Sequence, residues 1–196
     1  MRLFIALDIE QQVRSRIQRF MEEIRGLAPG VRWVSPESLH VTLKFIGEQP
    51  DANVSKIQDA LRGVSVKPFQ VSFHGSGFFP TEKSARVFWI GIEAGPALGQ
   101  LVSQVDQGLV PLGIPAEKRA FSPHLTLSRA AGASGAPGRQ HEDRPNRRFS
   151  GLQAKLSTLP VSEFGTMNAT EFFLYRSQLS SGGARYTKIA RFALSP

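Results

Sequence analysis

Two stretches of this chain recur at one fixed spacing, and that recurrence restricts the possible folds more than any other feature of the sequence. Arg2-Leu3-Phe4-Ile5 aligns with Arg86-Val87-Phe88-Trp89, and His40-Val41-Thr42-Leu43 aligns with His124-Leu125-Thr126-Leu127, both 84 positions apart. Self-similarity at a constant period marks a duplicated structural unit. The intervening segments correspond under the same shift. Val13, Ile17, Phe20 and Ile24 fall three or four apart, as one face of a helix requires, and so do Leu98, Leu101, Val102, Val105 and Leu109. Leu3 to Asp8 and Leu39 to Ile46 read as strands, and strand, helix, strand therefore occurs twice. The expected fold is two similar lobes, each a small sheet backed by helices.

The rest of the chain fills in around this repeat. A helix is predicted from Ala52 to Arg62, where Val54, Ile57 and Leu61 share a face. Strands are predicted at Phe69 to Phe73 and Val87 to Ile92, around a Gly- and Phe-rich turn from Gly75 to Pro80, and Pro96 suits the first turn of the third helix. A short helix at Phe149 to Leu159 and strands at Thr170 to Gln178 and Tyr186 to Leu194 complete the reading. Ala131 to Arg148 is a polar, Gly- and Pro-rich loop without a counterpart in the first half, and flexibility is expected there. No linker is long enough to separate the lobes, so residues 1–196 are expected to form one bilobal domain.

Composition narrows the chemistry. Without cysteine, the chain can form neither a disulfide scaffold, nor a thiolate zinc cluster, nor a thiol nucleophile. Asp8 stops the apolar run at the N-terminus before it reaches the length of a signal-peptide core, and no later run is long enough to cross a bilayer, so a cytoplasmic protein with no membrane partner is expected. With 24 Lys and Arg against 16 Asp and Glu, the net charge is +8, which suits an anionic partner such as RNA or a nucleotide phosphate.

The repeated tetrapeptide supplies a mechanism for using that charge. Residues two apart on a strand share a face, so His40 and Thr42 point one way and Val41 and Leu43 the other, and the same holds around His124 and Thr126. If the lobes are related by an approximate twofold, the two polar pairs meet across one cleft. Two imidazoles with ordinary pKa near ~6.5 suit general acid–base work, one taking a proton while the other gives one. The threonine hydroxyls can donate to a charged oxygen, as an anionic phosphoryl transition state needs. Two histidines with no cysteine and no carboxylate at ligand spacing make a poor metal set, so neither a metal nor a cofactor is expected. His74 and His141 stand outside the motif; His74 reads as structural and His141 as a solvated loop residue.

The two tetrapeptides resemble the signatures of the two-histidine (2H) phosphoesterases. More narrowly, Arg2-Leu3-Phe4-Ile5-Ala6-Leu7, the stretch from Trp33 to Glu48 and the stretch from Phe121 to Arg129 are similar to the RNA 2′,3′-cyclic phosphodiesterases, historically called 2′-5′ RNA ligases. The resemblance runs over nearly the whole chain. It implies an α+β, bilobal fold of two pseudo-symmetric lobes, each with a mainly antiparallel sheet backed by helices and with the active site in the cleft between them. It also implies metal-independent hydrolysis of an RNA 2′,3′-cyclic phosphate to a terminal 2′-phosphate, and a monomer is expected. By analogy His40 is the proton donor to the departing 3′ oxygen, His124 is the acceptor that activates water, and Thr42 and Thr126 bind the phosphate. The residues alone leave acid and base unassigned, because the repeat is nearly symmetric.

Other residues are secondary candidates. Strict alternation puts Lys44 on the face of His40, as a phosphate neutraliser or merely a solvated lysine. Arg119 and Arg129 flank the second motif, where a guanidinium can grip a phosphate through two hydrogen bonds, although the same alternation puts Arg129 on the face away from His124 unless the strand ends or twists. Phe121 is a candidate for base stacking or for the core, and Gly77-Phe78-Phe79-Pro80 for the cleft wall or a hydrophobic turn. The expected partners are RNAs with 2′,3′-cyclic phosphate ends, tRNA fragments among them, or cyclic nucleotides. The competing readings are 2′-5′ ligation of tRNA halves by the same cleft, and a non-catalytic module that holds RNA ends.

Overall fold

In a computed structural model of the chain, residues 1–130, 145–180 and 183–195 are described. They form nine strands and four α-helices, β1 (Arg2–Asp8), α1 (Gln11–Ile24), β2 (Val31–Trp33), β3 (His40–Glu48), α2 (Val54–Arg62), β4 (Phe69–Phe79), β5 (Val87–Glu93), α3 (Gly95–Leu109), β6 (His124–Ala130), α4 (Ser150–Leu156), β7 (Glu163–Ala169), β8 (Glu171–Ser180) and β9 (Gly183–Ala193). The strands make two antiparallel sheets, ordered β3-β1-β8-β9 and β2-β6-β5-β4-β7. The α+β class, the repeated strand–helix–strand unit and the antiparallel sheets agree with the sequence reading. Most of the predicted 131–148 loop, including His141, lies outside the described residues.

The halves are more interwoven than two self-contained lobes. The first half's β2 joins the second sheet beside β6, and the C-terminal β8 and β9 complete the first. Each repeat helix also packs on the opposite sheet. Helix α1 lies against β7, where Phe20 meets Phe164 edge-on with ring centres 5.0 Å apart and Glu10 accepts from the Asn168 amide at 3.1 Å, while α3 lies against β3. Their apolar stripes explain this placement. Val13, Ile17, Met21 and Ile24 of α1 and Leu98, Leu101, Val105 and Leu109 of α3 are buried in one continuous core that also takes Leu3, Ile5 and Leu7 of β1 and Phe88 and Ile90 of β5. Each such side chain contributes about 1.5–3 kcal/mol by leaving water, so a shared core binds the halves together.

Two elements differ from the sequence reading. The turn predicted at Gly75 to Pro80 is instead strand, because β4 continues to Phe79 and absorbs Gly75, at φ +64, as a bulge between His74 and Ser76. Strand β7 carries no strand signal in the sequence, since Glu163–Ala169 has only Phe164, Met167 and Ala169 buried and shows no clean alternation. No helix among the described residues is long and apolar enough to cross a membrane.

Candidate active site

The two sheets meet where the motif strands β3 and β6 approach, with Cα atoms of one within 8 Å of the other. Along β1, Leu3, Ile5 and Leu7 enter the main core, while Phe4 and Ala6 face the opposite side, where they join Phe173 and Tyr175 in a small second cluster with Tyr186 against it. His40 and Thr42 lie on this second side, paired across the sheet with Asp8 and Ala6. In the other sheet His124 and Thr126 pair with Gly91 and Trp89.

The two histidines are held alike. His40 Nδ1 donates to the Ser38 carbonyl at 2.7 Å, and His124 Nδ1 to the Ser122 carbonyl at 2.8 Å. A carbonyl can only accept, so Nδ1 carries the hydrogen in both rings and each Nε2 is left with the lone pair that takes or returns a proton. Aromatic rings wall both imidazoles. His40 has Phe4 at 4.8 Å and Tyr186 edge-on at 5.1 Å between ring centres, and His124 has Phe79 at 5.0 Å and Trp89 at 6.5 Å. Gly77 allows the Trp89 arrangement, since a Cβ there would fall 2.4 Å from the indole.

Burial therefore favours neutral rings. It pushes His40 from 6.5 down to about 4, against the Ser38 hydrogen bond and with added repulsion from Arg129; Asp8 opposes this shift and Arg14 adds to it. His124 is lowered as well, again by burial first and by Arg129, against its bond to Ser122. Burial raises the Asp8 carboxyl, but hydrogen bonds from Lys188 and the Ile9 amide and the charges of Lys188 and Arg14 outweigh it and hold Asp8 below the usual range. Asp8 Oδ1 accepts from Ile9 N at 2.8 Å and Arg14 Nη2 at 2.6 Å, and Oδ2 pairs with Lys188, which ties β1, α1 and β9 together behind His40.

A bulge at the same point of each repeat sets the facing of the residues beyond the threonine. Ile5 pairs with Lys44 and Ala6 with Thr42, so Leu43 has no partner; Phe88 pairs with Ser128 and Trp89 with Thr126, so Leu127 has none. One extra residue reverses the alternation. Lys44 and Ser128 turn into the core, and Phe45 and Arg129 turn to the histidine side.

This corrects two expectations. Lys44 does not share the face of His40; its ammonium is buried against Asp106 of α3 and donates to the Pro115 carbonyl at 2.9 Å. Lys44→Met is accordingly expected to cost about 3 kcal/mol of folding stability by stranding Asp106, read as a lower urea midpoint, with kcat/KM of the folded protein unchanged. Arg129 does face the histidine side. It donates to Thr126 Oγ1 at 3.4 Å, and no carboxylate among the described residues pairs with it. Burial lowers its pKa, and the neighbouring Tyr186 phenol opposes that shift. Its charge bears on both histidines and disfavours their protonated forms.

The remaining candidates fall elsewhere. Arg119 is exposed on the segment leading into β6, its amide donating to Glu117 at 3.3 Å, and Phe121 packs against the main core. Within the 77–80 stretch Phe79 walls His124, whereas Phe78 packs on Phe88 and Phe149. His74 pairs with Glu93 on the surface. Among the described residues no three His, Asp or Glu side chains gather as a metal site would need. Sequence reasoning missed Phe4, Asp8, Tyr186 and Phe45. The bulge did leave a signal, because the apolar spacing changes from two to three in both repeats, at Val41, Leu43, Ile46 and at Leu125, Leu127, Ala130.

Two antiparallel sheets that each present a His-x-Thr at their junction have the architecture of the two-histidine phosphoesterases. Residues 7–89 match the family model described as LigT like phosphoesterase. The chain is 33% identical to the RNA 2′,3′-cyclic phosphodiesterase of Archaeoglobus fulgidus, over 98% of this chain and 99% of that one, and 32% identical to that of Methanothermobacter thermautotrophicus, over 98% of each. The crystal structure of TT0787 of Thermus thermophilus superposes with a TM-score of 0.77 at 28% identity, covering 99% of this chain and 98% of that one. E. coli LigT complexed with 3′-AMP superposes at 0.75 and 26% identity, covering 100% and 98%. The chain belongs to the LigT-like phosphoesterase family.

Proposed function

We propose that this protein hydrolyses RNA 2′,3′-cyclic phosphate ends to 2′-phosphates, with His40 and His124 as the acid–base pair and no metal in the reaction. The observation that carries this reading is Arg129, a cation without a carboxylate partner among the described residues, on the face of two histidines whose Nε2 atoms make no hydrogen bond among the described residues. A guanidinium in that position needs an anion, and a phosphodiester supplies one. Thr126, already bonded to Arg129, and Thr42, its repeat equivalent, add hydroxyl donors to the non-bridging oxygens.

In the forward step His124 Nε2 takes a proton from water as the water oxygen bonds to phosphorus. The bond from phosphorus to O3′ breaks, and His40 Nε2–H gives its proton to that oxygen, leaving a 3′-hydroxyl and a 2′-phosphate. The lowered pKa of His40 means that it is neutral near pH 7 in the free protein. The negative charge of a bound phosphate reverses that bias and loads the proton on substrate binding. The names of the relatives and the +8 net charge support RNA as the source of the cyclic phosphate.

End-group analysis of a short cyclic-phosphate oligonucleotide, incubated in chelator, tests this directly. A terminal 2′-phosphate formed at an undiminished rate is the expected result; a 3′-phosphate, or loss of turnover in chelator, contradicts it.

A further inference from the structure

Positive charge on the histidine side extends beyond Arg129. The short strand β2 forms a free edge of the second sheet, and there Arg32 pairs directly with Arg129 of β6. Trp33, the next residue, pairs with the buried Ser128 and meets Phe88 edge-on in the core, with ring centres 6.2 Å apart. Successive residues of a strand point to opposite faces, so Arg32 points to the histidine side with Arg129. Like charges set opposite each other on neighbouring strands, with Cα atoms about 5 Å apart, destabilise a sheet. Arg32 is exposed, and among the described residues no carboxylate pairs with either guanidinium. Arg148 adds a third cation close by, since it donates at 3.1 Å to the carbonyl of Gly30, just ahead of β2. The two paired arginines suit two different anions. Arg129 is bonded to Thr126 and serves the reacting phosphate. Arg32 lies one strand further out, so a group that it holds is displaced from the histidines toward the sheet edge. In a cyclic-phosphate end both the 2′ and the 3′ oxygens of the last ribose are in the ring. The strand therefore continues only from O5′, and the nearest second anion is the phosphoryl group on that oxygen.

We infer that Arg32 is a second phosphate site, which binds the 5′-phosphoryl group of the nucleotide bearing the cyclic phosphate and so favours the end of an RNA chain over a cyclic mononucleotide. This deepens the proposed hydrolase reading and rests on it. A bound phosphoryl group also removes the repulsion between Arg32 and Arg129, which is a reason for the two to stand opposite each other. A guanidinium grips two phosphate oxygens at once, and a contact of this kind that stays partly in water is worth about fivefold in affinity, less as salt rises.

The test compares adenosine 2′,3′-cyclic phosphate carrying a 5′-phosphate with the same compound carrying a 5′-hydroxyl, and reads the ratio of the two kcat/KM values. The wild type is expected to favour the 5′-phosphate about fivefold at low salt, through KM, and Arg32→Gln to bring the ratio close to one. Arg32→Lys, which keeps the charge, should retain part of the preference. Arg62→Gln, which removes the same charge from the exposed surface of α2, should retain all of it. A second measurement, equilibrium binding of adenosine 2′,5′-bisphosphate against adenosine 2′-phosphate, does not depend on turnover and should show the same selective loss in Arg32→Gln. A wild-type ratio near one, a ratio that survives Arg32→Gln, or an equal fall in Arg62→Gln overturns the site. Absence of turnover by the wild type on either cyclic phosphate overturns the hydrolase reading instead, and the binding comparison then still decides the role of Arg32.

Discussion

His40→Ala and His124→Ala each lower kcat by about 10²–10⁴-fold, the range that a positioned acid or base supplies, with the thermal unfolding midpoint close to that of the wild type. The fold should survive because among the described residues each imidazole hydrogen-bonds only to a carbonyl two residues away, Ser38 or Ser122, and neither ring belongs to the main core. The double variant should be little worse than the poorer single one, since a proton taken without a proton given leaves the step incomplete. The leaving group separates the two roles. An aryl phosphodiester that expels nitrophenolate needs no protonation, so it should restore most of the rate to His40→Ala and none to His124→Ala. Rescue of His124→Ala instead would exchange the assignments of donor and acceptor.

Arg129→Met is expected to cost about 10²–10³-fold in kcat/KM, comparable with removing one preorganised donor to a developing anion. Its pH signature is more informative than its size. Arg129 repels the protonated form of both imidazoles, so its removal raises both pKa values, and both limbs of the kcat/KM profile move to higher pH. In the wild type these limbs report the free enzyme, so its optimum is expected below 6.5, the ordinary imidazole value, with His40 near 4 the lower of the two. Arg129→Lys should keep the limbs in place and recover only part of the rate, because an ammonium keeps the charge without the planar two-point grip. A profile unmoved by Arg129→Met would mean that the guanidinium does not face the histidines.

Much of this arrangement was legible in the residues. The two His-x-Thr pairs carry the proposed chemistry, and alternation about His40 and His124 put them on the side away from Val41 and Leu125, which are buried. What failed was alternation carried one residue too far. A strand pattern assumes one residue opposite one residue, and the unpaired Leu43 and Leu127 break that assumption, so strict alternation makes Lys44 a phosphate ligand and counts against Arg129. Phe4, Asp8 and Tyr186 escaped for another reason. Their role near His40 depends on the pairing of β1 with β3 and of β8 with β9, and Tyr186 lies 146 residues from His40 in the chain.

The sequence by itself determined the duplicated strand–helix–strand unit, the α+β class and the pair of histidines, because periodicity and repetition are local properties that a single chain displays without its partners. Only the tertiary structure decided that each repeat helix packs on the opposite sheet, that Lys44 is spent on Asp106 and that Arg129 faces the histidine side. It also showed that the near-symmetry of the repeat is broken in the cleft by Phe45 on one side and Arg129 on the other. Those outcomes arise from strand pairing and from core packing over long sequence separations, where one bulged residue reverses the side chains that follow it.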